Sequence, residues 1–84
     1  MYLHLGKGFV VPKKAVVGVF DLDVTSQSHR TRAFLRRAEQ AGEVLNAAED
    51  LPKSFVVCCE NGQNRVILSQ MAAATLLRRS DVSF

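Results

Sequence analysis

A chain of 84 residues, 48% hydrophobic and 23% charged, holds enough apolar material for one compact domain and too much for a disordered tail. Its net charge of +3 is a mild excess that tilts toward an acidic partner without naming one. No run approaches the ~20 apolar residues of a membrane span. The opening MYLHLGKGFV lacks the basic-then-apolar pattern of a secretory leader, so residues 1–84 are expected to form a single cytoplasmic domain with no membrane partner.

In chain order, YLHLG (Tyr2–Gly6) reads as a short strand broken by Gly6 and Gly8, with Gly6-Lys7-Gly8 making a bend. The stretch FVVPKK reaches Pro12, which demotes it to a strand end or turn. AVVGVFDLD (Ala15–Asp23) is rich in β-branched residues and predicts the next strand, with Gly18 at a bulge or a point of close packing. Thr25, Ser26 and Ser28 are candidate N-caps for a helix from about His29 to Ala41, with Gly42 as its stop. EVLNAAEDLP leads out through Pro52.

KSFVVCC and NRVILS then read as two strands joined at Asn61-Gly62, a dipeptide that tolerates the positive φ angles of a tight hairpin. Phe55, Val57 and Cys59 point one way and Val56 and Cys58 the other, so both faces are apolar. The second face must be covered by a helix of the chain or by a neighbouring subunit. The subunit is favoured, so the working unit is expected to be an oligomer. Ser69 can cap a last helix, QMAAATLLRR, with Arg78 and Arg79 at the negative end of its dipole. The expected fold is α+β, a small, mainly antiparallel sheet with the order ββαββα.

Little in the chain suggests catalysis. Cys58 and Cys59 are adjacent in a strand, cannot readily bond each other and match no metal-ligand spacing. His4 and His29 lack partners at motif spacing, and Asp21 and Asp23 read as solvated strand-end acids. Neither an enzyme active site nor a cofactor, metal or small-molecule substrate is expected.

The charged signal lies on the first helix. At about 100° per residue, Phe34, Leu35, Ala38 and Ala41 gather on one side, and Arg30, Arg32, Arg36 and Arg37 spread over the other with Glu39 as the one acid. Helix faces that are merely solvated usually interleave signs. Arginine suits phosphate because its planar fork donates parallel hydrogen bonds. Lys7, Lys13, Lys14 and Lys53 extend the field. The alternative is an ordinary solvated face paired with Asp21, Asp23, Glu43 or Glu49. The candidate phosphate-contacting residues are therefore Lys13, Lys14, Lys53, Arg30, Arg32, Arg36 and Arg37.

Taken together, YLHLG, FVVPKKAVVGVFD, TSQSHRTRAFL, PKSFVV, RVILS and TLLRR resemble, in order and spacing, the bacterial extracellular matrix regulatory proteins of the RemA/RemB family, in their RemB-type branch. The resemblance implies a compact α+β fold, a cytoplasmic location and self-assembly into ring-like homo-oligomers. For the RemA branch it implies sequence-tolerant binding of double-stranded DNA along the rim and regulation of the transcription of extracellular matrix and biofilm genes. The chain departs from that branch where a basic cluster would precede the third long strand: Leu51, Pro52 and Lys53 stand there, and only Lys53 is charged. Ala15, preceded by Lys13 and Lys14, replaces an arginine, and the loop Asn61-Gly62-Gln63 is longer. An oligomeric protein-interaction module without direct DNA binding is the alternative function.

Overall fold

Strand β5, Ser54–Glu60, lies inside a four-stranded sheet between β3, Val16–Asp21, and β6, Gln63–Ser69; β4, Val44–Asn46, completes the order β3-β5-β6-β4. The computed structural model describes residues 1–22 and 28–80. The hairpin β5–β6 turns at Asn61 and Gly62, whose φ angles are 54° and 78°, as the dipeptide requires. β3 and β6 both run antiparallel to β5, and β4 runs parallel to β6. β1, Tyr2–Gly6, and β2, Phe9–Pro12, form a separate antiparallel pair, and a 3-10 turn at Lys13–Ala15 leads into β3. The described residues thus make a small α+β domain with mainly antiparallel sheets and two α-helices, α1 at His29–Gln40 and α2 at Ala73–Ser80. The order is βββαβββα rather than ββαββα. Pro12 ends β2 instead of abolishing it, because a strand end needs no donor there, and Val44–Asn46 becomes a strand by pairing with β6.

Because β3 and β4 point the same way at opposite edges, the chain must cross one face of the sheet between them, and α1 makes that crossing. Ser28 caps it, its Oγ accepting the Thr31 N–H at 3.4 Å; Ala41 closes it and Gly42 follows. Thr25, Ser26 and Asp23 lie outside the described residues. Leu35 and Ala38 pack with Phe55 and Val66, flanked by Leu22, Val44, Val57 and Leu68. The second apolar face of β5, expected to await a neighbouring subunit, is therefore covered largely by a helix of the same chain.

The other face carries the larger core. Val19, Val56, Cys58 and Ile67 of the sheet meet Leu3, Leu5 and Val11 of the β1–β2 pair and Ala73 and Leu76 of α2. Each large aliphatic buried this way stabilises by roughly 1.5–3 kcal/mol. Two buried serines tie the layers. Ser69 Oγ–H donates to the Leu5 carbonyl at 2.8 Å and accepts the Met71 N–H at 3.1 Å, while Ser54 Oγ–H donates to the Met71 carbonyl at 2.7 Å. Ser69 is thus a link between β6 and β1 rather than the cap of the last helix, which starts later, at Ala73.

Gly18 sits beside a register shift in the β3–β5 pair, and the Phe20 ring lies over it, 2.7 Å from where a Cβ would be. Gly6 is more constrained. Its φ is +121°, and a Cβ there would lie 2.7 Å from the Ala47 carbonyl oxygen, a backbone atom that cannot swing away. Gly8, at φ +75°, faces open space. Gly6→Ala is expected to lower stability by roughly 2–4 kcal/mol and Gly8→Ala by about 1 kcal/mol, read from urea unfolding midpoints. Equal losses would show that the approach to Ala47 costs nothing.

Candidate nucleic-acid interface

The sheet register decides which basic residues share a surface. Val16 pairs with Cys58, and Cys58 pairs with Arg65. Neighbouring strands lie about 4.8 Å apart, so the 3-10 turn before Val16 and the start of β6 flank the same end of β5. Lys13, Lys14 and Glu60 line a shallow depression of about 570 Å³ together with Met1, Tyr2 and Pro12. Lys14 and Arg65 are exposed and Lys13 half-buried. Lys13 and Lys14 thus stand beside Glu60, while Arg65, two strands away at the same end of the sheet, lines a separate depression with Glu43.

Lys53 is not part of this group. It precedes the first residue of β5, at the opposite end of the strand, where its carbonyl accepts the Leu22 N–H and its N–H donates to the Ser69 carbonyl. At about 3.3 Å per residue, the length of β5 separates it from Lys13 and Lys14 by roughly 20 Å. Arg30, Arg32, Arg36 and Arg37 are all exposed on α1, on the face of the sheet opposite α2. The candidate residues therefore fall into three places on one protomer: a lysine-bearing end, a helix face and an isolated Lys53.

Arg65 was absent from the sequence-derived set. A hairpin turning at Asn61-Gly62 pairs Cys58 with Arg65 by counting outward, so half of its placement was legible. The pairing of β3 with β5, which brings Lys13 and Lys14 alongside, spans α1 and β4 and leaves no local signal.

Between these charges lies the thiol of Cys58. Burial raises its pKa from 9.0 to about 11, the nearby Glu60 adds to the rise, and Arg65 partly opposes it. Cys59 is exposed. His4 is exposed on β1 and His29 is exposed in the first turn of α1. Among the described residues no group of three or more His, Cys, Asp or Glu side chains is arranged to hold a metal ion. No described helix is long and apolar enough to cross a membrane.

The model of the RemA-like family, extracellular matrix regulatory protein A-like, matches residues 2–79. The chain belongs to that family. It is also similar to extracellular matrix regulatory protein B of Bacillus subtilis (strain 168), with 33% identity over 84 residues, covering 100% of this chain and 95% of that protein. Within the RemA-like family the chain is thus RemB-like, as its strand and helix segments suggested, and the family's regulatory designation sets the class of function.

Native protein treated with a thiol reagent at pH 8 should show one fast-reacting group, Cys59, and a second only on unfolding. Stability should also depend on pH. Below pH 9 both states keep the Cys58 proton and the contribution of burial is whole. Between 9 and 11 only the unfolded state loses it, so stability falls by at most roughly 2–3 kcal/mol. Urea midpoints across this range, compared with Cys58→Ala, check the slope.

Proposed function

We propose that this RemA-like protein is a self-assembling regulator of extracellular matrix genes that binds double-stranded DNA through phosphate contacts. The observation that carries the reading is the placement of Lys13, Lys14 and Arg65 at one end of the sheet, where Glu60 and Glu43 are the neighbouring acids. Arg32, Arg36 and Arg37 on α1 are the second source of positive charge, and Lys53 contributes from the far end once copies stand side by side. One protomer offers too few cations in one place for tight binding. Repetition of the lysine-bearing end in an assembly multiplies weak contacts. The groups involved are long, exposed cations, suited to the backbone rather than to base edges, so sequence discrimination is low.

The reading without DNA has its own support. The loop before Lys53 carries Glu49, Asp50 and Leu51, an acidic and apolar tip where a phosphate-binding loop would be basic. In that reading the assembly presents a surface to another protein.

Titration of a fluorescent duplex, long enough to contact several subunits, separates the two. Binding should weaken steeply with salt, and Lys13→Gln with Lys14→Gln should lower the log–log salt slope by about two per subunit in contact. The double charge reversal, Lys13→Glu with Lys14→Glu, should abolish binding and leave assembly intact. Unchanged binding by the reversed variant would move the interface elsewhere. No binding by folded, assembled protein at low salt would favour the protein-interaction reading.

A further inference from the structure

Because α1 lies over β6 and β4 rather than over β3, part of the sheet face stays open. A groove of about 320 Å³ remains between α1 and β3. Phe55 and Val57 floor it, Val17 and Phe20 form one wall, and Phe34 the other, with Arg30 at the rim. Its walls are wet: Val17 is 56% exposed, Phe20 40% and Phe34 37%. Phe55 stacks on Phe20 at 5.0 Å between ring centroids and lies 6.4 Å from Phe34, so the aromatic lining is already ordered. β3 is an edge strand, which leaves one row of its backbone groups unpaired by the sheet.

The same chain carries a matching projection. Leu51 is 80% exposed at the tip of the loop between β4 and β5. That loop is held at its base: Ala47 and Ala48 are buried, the Ala48 N–H donates to Asn46 Oδ1 at 2.9 Å, and the Glu49 N–H donates to Gln70 Oε1 at 3.3 Å. Glu49 and Asp50, both exposed, precede the leucine. An apolar knob with two carboxylates beside it is complementary to an apolar groove with a guanidinium at its rim. Leu51 does not occupy the groove of its own chain.

We propose that the groove between α1 and β3 receives Leu51 of a second copy, with Arg30 facing that copy's Glu49 and Asp50. Knob and groove are different surfaces, so the contact is head-to-tail and repeats until it closes into a ring or grows as a filament. A buried aliphatic anchor in an aromatic pocket with a charged rim is the arrangement that concentrates binding energy at interfaces. This rests on the self-assembly in the reading above and gives it an interface. It also removes Arg30 from the DNA-facing set.

Sedimentation velocity on wild type, Leu51→Ser and Val17→Asp tests it, with circular dichroism confirming that these surface variants fold. Each variant should assemble at least roughly tenfold more weakly than wild type. Mixing them should produce a one-to-one dimer that neither forms alone, because the intact Leu51 of one meets the intact groove of the other and both outer ends are blocked. The charge-swapped chain R30D/D50R should assemble better than R30D. Variants that assemble like wild type, or impaired variants that fail to pair on mixing, overturn the head-to-tail contact while self-assembly itself stands. A wild type that stays monomeric overturns both, and the duplex titration then decides DNA binding separately.

Discussion

Strand β5 is apolar on both sides, and the rest of the molecule is arranged to keep both sides dry. Val56 and Cys58 require one covering layer, which the β1–β2 pair and α2 provide. Phe55 and Val57 require another, which only the crossing segment between β3 and β4 can supply. A single helix is narrower than a four-stranded sheet. Whichever strands it favours, one flank is left short of cover, and here that flank is β3. The groove is thus a geometric remainder of the topology, lined by residues that are apolar because their neighbours are core.

Charge follows the same topology. Strand pairing gathers Lys13, Lys14 and Arg65 at one end of the sheet, while the crossing helix carries its arginines outward on a face. Lys53 is sent to the other end by the direction of β5. A modest net charge of +3 is therefore unevenly distributed, and an assembly would present whichever of these places its contacts leave free. The described residues offer this divided charge as an exposed surface.

Sequence reasoning reached those features whose causes are local. Ser28 before an amphipathic run, Gly42 after it, and Asn61-Gly62 between two β-branched stretches each act within a few residues, and each holds in the structure. Val44–Asn46 carries no periodicity of its own in three residues; what makes it a strand is parallel pairing with β6, the far strand of the β5–β6 hairpin. Ser69 looks like a helix cap in sequence but spends its hydroxyl on Leu5, at the other end of the chain. The site was legible as residue types and not as a surface. Nothing near Lys13 signals that Arg65 will stand two strands away, and nothing near Lys53 signals that it will be apart from both.

The β5–β6 hairpin differs from every other part of the sheet in what it costs to close. Its two strands form one contiguous stretch, Ser54–Ser69, joined by the shortest kind of turn. Pairing β3 with β5 must instead close a loop that contains all of α1 and β4, and the entropy lost grows with that length. Within the four-stranded sheet the hairpin is therefore the one local pairing, as β1–β2 is in the two-stranded one. The other strands are arranged about it: β3 beside β5, β4 beside β6, and the β1–β2 pair across one face, tied to β6 at Ser69. The strand that forces the fold to have two covered faces thus has one of its two partners next to it in sequence and draws the other from across a helix.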